Sequence, residues 1–569
     1  MKVIHDKLTP TAEQLVVKDA VKANTFTKIS AGAGAAKTTT LSMVAEDNVV
    51  PSLYLAFNKS MATEAGERFP SWVKVQTTHS LAYAQFGTML RDKLKRPVGP
   101  YKNVCGTGNE IARYFKIKPM ALSSGNVISA GAVGLSIKET VNRFEYSGDF
   151  EMTAKHVSFT GAKKVYRDPT FTPEFFAQAV LGHAKALWEL RINPRSEILA
   201  THDTYLKLYQ LSKPNLSRYE IIYLDEAQDT NQCVIDIILR QLENGCKVVA
   251  VGDKFQQIYA WRGSVNAMEK FDCAEAFLTK SFRFGPAIAH AANVVLDQQD
   301  FKLEGWENLS TELLGMENAT TEILGKHTRL YRTNAALISD AVGLIEQGLS
   351  VNLEIDIKDF LRMLESAVAL SEGNLKDVKH EEIVPYDTWK SLVDEAEMSQ
   401  GELARLVRII SSHRHYALIG ILTSHRNTPD ADITMTTAHK SKGREWDNVL
   451  LADDFASGYN KEGEWVGFPE MERNLLYVAL TRAKKMLVVN LVLQEALDRA
   501  SAYKQAQEMP GVEVFMQTGE SFLINHEHTI DMVLGDMARA GVITNRDEVA
   551  DGIMLAQHEA KYGGREDDV

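Results

Sequence analysis

The stretch FTKISAGAGAAKTTTL, Phe26 to Leu41, decides how the rest of the chain is read. An apolar, β-branched run enters a turn in which Gly32 and Gly34 alternate with Ala31, Ala33 and Ala35, and Lys37, Thr38, Thr39 and Thr40 then open a helix. This is the layout of a phosphate-binding loop. Backbone N–H groups of such a turn converge on an anion, the helix adds the positive end of its dipole, and the lysine supplies a mobile ammonium. Thr38 would then offer its hydroxyl to Mg²⁺. The pattern departs from G-x-x-x-x-G-K-[ST], because Ala31 and Ala36 stand where the two outer glycines would be. Ala36 is the departure that matters: a Cβ at a position with φ > 0 costs roughly 1 to 2 kcal/mol.

A chain of 569 residues exceeds a single core and predicts about three to five folded units. There is no run of 18 apolar residues, and the amino terminus MKVIHDKLTP lacks the apolar centre of a signal peptide. The expectation is a protein without membrane contact, cytoplasmic, associated with the nucleoid in a bacterial or viral setting and nuclear in a eukaryote. Cys105, Cys233, Cys246 and Cys273 show no metal-ligand spacing and read as reduced core residues. The net charge of −12 argues on its face against a polyanionic partner. That argument is weak, since a groove is governed by local charge and residues 541–569 alone carry seven acids against three bases.

Outward from the loop, short apolar runs end in polar tips and lead into helices. Leu8-Thr-Pro-Thr-Ala-Glu-Gln14 reads as a capped helix start. SLYLAFNK (52–59) and VKVQTTHS (73–80) repeat the strand, polar tip, helix order of a parallel sheet, with working residues at strand ends. IIYLDEAQD (221–229) delivers Asp225 and Glu226 together, one acid to hold Mg²⁺ through water and one to orient and deprotonate an attacking water. A solvated acidic turn is the alternative, and it sits poorly directly after IIYL. KVVAVGDKFQQIYAWRG (247–263) places Trp261 beside Arg262 past another polar tip, a platform on which a base could stack. These patterns divide the chain into a first core (1–88 and 216–274) carrying a helical insertion (89–215), a second core (275–344 and 431–495) carrying a helical insertion (345–430), and an unassigned segment (496–569).

With LYLAFNKS, THDTYLKLYQLSKP, LDEAQDT and SFRFG in view, the sequence resembles the UvrD/Rep/PcrA-like family of superfamily-one DNA helicases, and within it the F-box DNA helicase branch, although no F-box segment is apparent. The motifs run in order from Gln14 to Lys484, about four fifths of the chain. The resemblance implies an α/β protein with two RecA-like cores, each with a mostly helical inserted subdomain, binding ATP with Mg²⁺ in the cleft between them. It also implies movement 3′ to 5′ along single-stranded DNA and unwinding at duplex junctions in replication, recombination or repair. By the resemblance, Gln14 would read adenine, Phe282 would stack on it and Glu445 would contact the ribose. Lys37 and Thr38 would hold phosphates and Mg²⁺, with Asp225 as the metal carboxylate and Glu226 as general base. Gln256 would sense the γ-phosphate, and Arg283 and Arg482 would act as arginine fingers. DNA would be held by Phe57, Asn58, Thr78, His79, Tyr259, Trp261 and Arg262 on the first core and by His439, Lys440 and Lys442 on the second.

Lys440, Lys442 and Arg444 make a local basic cluster that overrides the bulk charge. The chain departs from the family at Ala36, in a shorter second insertion, and at Trp446 where the family usually has Phe. The alternative function is a hydrolysis-impaired, ATP-gated DNA clamp or scaffold. A monomer or weak oligomer is expected, with the insertions and the C-terminal segment as candidate surfaces for replication or recombination proteins.

Overall fold

The apolar runs with polar tips form two parallel sheets in the computed structural model. It describes residues 9–95, 104–163, 165–259, 266–297, 300–380, 382–399, 402–411, 415–425, 427–428, 430–460, 463–508, 512–515 and 521–524. Helix α1 (Ala12–Ala23) starts on Thr11, whose hydroxyl accepts the Gln14 N–H while the Gln14 side chain accepts the Thr11 N–H, a reciprocal capping box. Strand β1 (Phe26–Ala31) runs into the glycine-alternating loop and helix α2 (Lys37–Asp47). Strand β2 (Ser52–Ala56), helix α3 (Lys59–Arg68), strand β3 (Val73–Thr77) and the short helix α4 (Thr78–Ala82) follow. Helices α5 (Ala130–Tyr146), α6 (Pro173–Ile192) and α7 (His202–Leu211) intervene before β4 (Ile221–Leu224), β5 (Lys247–Gly252) and β6 (Ala274–Leu278).

The strand order of the first sheet is β3-β2-β4-β5-β1-β6, and every pairing is parallel. All carboxyl ends therefore fall on one edge, with the β1 loop flanked by the tips of β5 and β6. Alternation along β2 sends Leu53 and Leu55 to one face, beside Ile222, Leu224 and Val248. Tyr54 and Ala56 go to the other, beside Val17 and Val21 of α1 and Leu41 and Val44 of α2. Both faces are covered, which is why these strands read as unbroken apolar runs.

The second sheet holds β7 (Glu312–Gly315), β8 (His327–Tyr331), β9 (Val351–Leu353), β10 (Ile433–Thr437), β11 (Trp446–Leu451) and β12 (Ala483–Val489) in the order β9-β10-β8-β11-β12-β7. Helix α8 (Ile357–Ser371) follows β9, and helix α9 (Glu470–Leu480) precedes β12. Each stretch of helical insertion keeps its own small core, one around Ile137, Phe144, Phe176 and Val180, the other around Leu364, Ala367, Ile383 and Leu392. Residues 489–569 form a separate compact unit, in which a helix (Leu491–Glu508) and an antiparallel hairpin (Val512–Phe515 with Ser521–Ile524) are described.

Two expected boundaries need correction. Strand β6 pairs with β1 from Thr27–Ala274 to Ala31–Leu278, so the first sheet continues past residue 274. Its sequence AEAFL exposes Glu275 and Phe277, an edge strand that does not look like the buried runs beside it. Strand β9 lies inside the stretch expected to be insertion, yet it pairs with β10 as the other edge of the second sheet. Of the four cysteines, Cys105, Cys233 and Cys246 are buried and Cys273 is half-buried, and none forms a disulfide among the described residues. Among the described residues no helix is long and apolar enough to cross a membrane.

One buried ion pair ties α5, α6 and α7 together. The Glu145 carboxylate takes both its oxygens to Arg191 Nη1 at 3.2 Å, and Thr204 Oγ1 (2.6 Å) and Thr201 Oγ1 (3.2 Å) donate to it. Both charged side chains are almost fully buried, and burial pushes the Glu145 carboxyl up against the pull of Arg191. Helix α7 then reaches the first core through Asp203, 3.4 Å from His79 Nε2, and Tyr205, edge-on to the His79 ring. Arg191→Met should leave Glu145 buried without its counter-ion and cost about 3 to 5 kcal/mol. A clear drop in the thermal midpoint is the expected reading, and an unchanged midpoint would refute the account of this clamp.

Candidate functional site

The phosphate loop carries two residues in the left-handed region, Gly34 at φ 74° and Ala36 at φ 55°. At Gly34 a Cβ would lie 2.4 Å from Ser281 Oγ and 2.8 Å from Arg283 Cβ, so glycine is required for space as well as for φ. Ala36 adopts the conformation for which glycine would be the unstrained choice, and its carbonyl accepts the Thr40 N–H at 2.9 Å as the cap of α2. Lys37, Thr38 and Thr39 are partly exposed on the first turn of α2.

Asp225 and Glu226 sit at the tip of β4. Glu226 is itself at φ 50°, with its N–H donated to Asp225 Oδ1 at 2.9 Å and its carboxylate accepting from the Gln228 amide. Burial and the Glu226 charge raise the Asp225 carboxyl, whereas the Lys37 and Lys442 charges outweigh burial and hold Glu226 low. The Tyr54 hydroxyl donates to Asp225 and is also hydrogen-bonded by Thr38, so a tyrosine joins the two oxygen groups expected around Mg²⁺. Sequence reading missed Tyr54, which lies inside a strand whose apolar neighbours mask it. Carboxylate and hydroxyl oxygens side by side are a donor set that suits a hard divalent cation, so these residues fit Mg²⁺.

At the tip of β5, Asp253 takes the Phe255 N–H (3.1 Å), the Gln256 side-chain amide (2.8 Å) and the Tyr477 hydroxyl (3.0 Å). The second sheet supplies the opposite wall. Arg482 is 1% exposed, and among the described residues its guanidinium donates to the Val478 and Arg444 carbonyls and the Thr481 hydroxyl. Burial and the neighbouring Arg283 charge lower it to about 9. Among the described residues no carboxylate pairs with it, and a buried guanidinium left so is costly unless an anion arrives. Arg283 donates to Glu445 (2.7 Å) and to the Thr481 carbonyl (3.0 Å), so those two expected residues are paired with each other. Gln14 is buried and donates to Thr40 Oγ1 at 3.0 Å, which packs α1 on α2 beside the loop. Phe282 is 39% exposed and rests on Trp306, ring centroids 4.8 Å apart.

Of the expected nucleic-acid residues, Phe57 and Tyr259 stack at 5.7 Å with an interplanar angle of 17°. The Tyr259 hydroxyl donates to the His439 carbonyl at 3.2 Å, which brings residues of both cores to one partly exposed aromatic site. Asn58 and Thr78 lie at strand tips, where Asn58 caps α3 by accepting the Met61 N–H at 2.9 Å. Lys440 is exposed. Trp261 and Arg262 lie outside the described residues.

The basic cluster needs correction. Lys442 was expected on the strand, but its ammonium is 8% exposed and spent on Asp229 and the Gln256 carbonyl (2.6 Å), with Glu226 at 3.9 Å. Arg444 is paired with Glu354. The reason is tertiary: the acidic loop is visible in IIYLDEAQD, but that Lys442 packs on its Asp229 and Arg444 on Glu354 is set by partners remote in the chain. Asp229, whose carboxyl burial raises to about 6 against the opposing pull of Lys442, keeps one oxygen without a partner.

A glycine-turned phosphate loop, paired acids at the tip of β4 on the same edge of the sheet and a buried arginine from the second core define a P-loop NTPase of two cores. The comparisons with known proteins narrow that class. Residues 193–494 match the model for the UvrD-like helicase C-terminal domain, and residues 13–262 match an AAA domain. F-box DNA helicase protein 1 of Schizosaccharomyces pombe is 30% identical over 524 residues, covering 84% of this chain and 57% of that protein. F-box DNA helicase 1 of Gallus gallus is 30% identical over 536 residues, covering 88% and 50%. ATP-dependent DNA helicase UvrD2 of Mycobacterium tuberculosis is 24% identical over 361 residues, covering 51% and 49%. The chain therefore belongs to the UvrD-like superfamily-one helicase family, and it spans about half the length of the curated relatives it matches.

The two left-handed positions can be told apart by exchange. Ala36→Gly should remove about 1 to 2 kcal/mol of strain, partly offset by about 0.4 to 1 kcal/mol of added freedom in the unfolded chain. A thermal midpoint equal to or slightly above the parent is expected. Gly34→Ala should lower it clearly, and equal behaviour of the two variants would contradict the loop geometry.

Proposed function

We propose that the chain is an ATP-driven motor on DNA, a helicase or translocase moving 3′ to 5′ on single strands and opening duplex junctions in replication, recombination or repair. The observation that carries this reading is the buried Arg482, which has no carboxylate partner among the described residues and comes from one core towards the paired acids of the other. ATP would enter with its base against Phe282 and beside Gln14, its ribose near Glu445 and its phosphates on the loop 31–36 with Lys37. Thr38 and Asp225 would hold Mg²⁺, which when bound neutralises phosphate charge. Glu226 would orient the attacking water and take its proton, Gln256 would sense the terminal phosphate, and Arg283 and Arg482 would stabilise charge on the group in transfer. Because the arginines come from residues past the first sheet, closure of the cores would gate hydrolysis. Phe57, Asn58, Thr78, His79, Tyr259, His439 and Lys440 would hold the strand by stacking and polar contact, with Trp261 and Arg262 as further candidates.

A second reading, an ATP-gated clamp that turns over poorly, is favoured by one observation only, the strained φ of Ala36. Steady-state phosphate release with and without single-stranded DNA separates the two, measured for this chain, Ala36→Gly, Lys37→Ala and Arg482→Ala. The motor predicts DNA-stimulated release that vanishes in Lys37→Ala, and in Arg482→Ala with nucleotide binding retained. Release that appears only in Ala36→Gly would instead establish the clamp.

The aromatic site makes a separate prediction. Tyr259→Ala should weaken oligo(dT) binding, followed by fluorescence anisotropy, by about 1 to 3 kcal/mol, the usual worth of one stacked base. Unchanged affinity would remove Tyr259 from the strand-binding surface.

A further inference from the structure

A tyrosine of the second core reaches into the phosphate loop of the first, and no role assigned above uses it. Tyr477 lies on α9, is 0% exposed, and its hydroxyl has two partners. It accepts the Ala33 N–H at 3.0 Å and donates to Asp253 Oδ2 at 3.0 Å. Ala33 belongs to the loop that would cradle phosphates, and the same Asp253 oxygen takes the Gln256 side chain at 2.8 Å. One hydroxyl therefore joins three parts of the cleft: the phosphate loop, the β5 tip that carries Gln256, and the helix that leads into Arg482. The ring packs edge-on against Phe255, 6.1 Å between centroids, so the position is held by apolar packing as well as by the two hydrogen bonds. One turn earlier on α9, Asn474 Nδ2 donates to the Gln257 carbonyl at 3.2 Å, which sets the same helix in register with the β5 tip.

We infer that Tyr477 is a positioning residue for the hydrolytic step, its hydroxyl fixing the register of α9 against the phosphate loop so that Arg482 and Gln256 are aligned together when the cores meet. The inference rests on the motor reading for its consequence in turnover. Its structural content, a tether from Tyr477 to the Ala33 amide, stands apart from that reading. A backbone N–H and a carboxylate on either side leave the hydroxyl no rotational freedom, because it must accept from one and donate to the other. Removing the oxygen alone keeps the ring in place and releases both neighbours. The loop would then lose its link to the second core, and Arg482, five residues further on, would lose its alignment rather than its charge.

The test is Tyr477→Phe in the full chain, with Leu476→Ala as a buried neighbour on α9 that loses packing and keeps the hydroxyl. Two readouts are taken: hydrogen–deuterium exchange resolved at the Ala33 amide without nucleotide, and DNA-stimulated phosphate release with nucleotide affinity measured separately. The expected result for Tyr477→Phe is faster exchange at Ala33 and a kcat lowered about tenfold or more, the scale of a small misalignment, with nucleotide affinity within about threefold of the parent. Leu476→Ala should leave Ala33 exchange and kcat near the parent values. Unchanged exchange at Ala33 overturns the tether, whatever happens to turnover. Faster exchange with unchanged kcat overturns the positioning role, as does an equal loss of kcat in Leu476→Ala. If the parent chain shows no turnover at all, the motor reading fails, and the exchange measurement still decides the tether.

Discussion

Four carboxylates, Asp225, Glu226, Asp229 and Asp253, share one largely buried cleft with Lys37, Lys442 and Arg482, and the arrangement of both cores answers to this charge. Charges removed from water must be compensated where they stand. The first core supplies all four acids at the tips of β4 and β5 and only Lys37 on the positive side. The other two cations arrive from the second core. Lys442 settles against Asp229, and Arg482 approaches Glu226 closely enough for each charge to shift the other. The cores are therefore held against each other by electrostatic need at the very place where a triphosphate with a divalent cation would add charge of both signs.

The same need explains what was and was not legible in the sequence. Strand tips were legible, because parallel strands covered on both faces read as apolar runs and their first polar residue marks the edge. The loop pattern singled out Ala36 as the position where a Cβ would matter if the backbone took φ > 0, and its φ is 55°. Partners across the cleft were not legible. Lys442 and Arg444 looked like a free basic cluster because Asp229 and Glu354 are remote in the chain. Tyr54 and Tyr477 were hidden for a related reason: each is a polar handle on a ring that the local pattern counts as core. Edge strands β6 and β9 escaped because an edge is half polar and short, and neither shows the apolar run that revealed the central strands.

The same cleft also contains backbone in the left-handed region. Gly34, Ala36 and Glu226 all have positive φ, and all three lie within the cleft. The surroundings hold them there: Gly34 is packed against Ser281 and Arg283, while Glu226 is fixed by its N–H to Asp225 and by Gln228. Backbone held in a sparse region persists only when its neighbours over-determine it. In the proposed motor this rigidity has a use, since loop amides and a general base that need not rearrange can act on charge as it develops.

In the proposed motor, how the proposed strand-binding site would communicate with the proposed phosphate site follows from chain distance as much as from space. Tyr259 lies three residues beyond Gln256 on the segment that leaves β5, and the Lys442 ammonium sits 5.5 Å from the Tyr259 ring centroid while bonded to the Gln256 carbonyl. A base that displaced Phe57 from Tyr259, or drew Tyr259 away from the His439 carbonyl, would pull on the backbone that carries Gln256 and on the lysine that neutralises Asp229. A phosphate that recruited Gln256 would pull the other way. Such reciprocity is what linkage demands of two sites that share an element. In that motor the coupling would run through one short segment, 253–259, which carries both Gln256 and Tyr259 and is held by Lys442 of the second core.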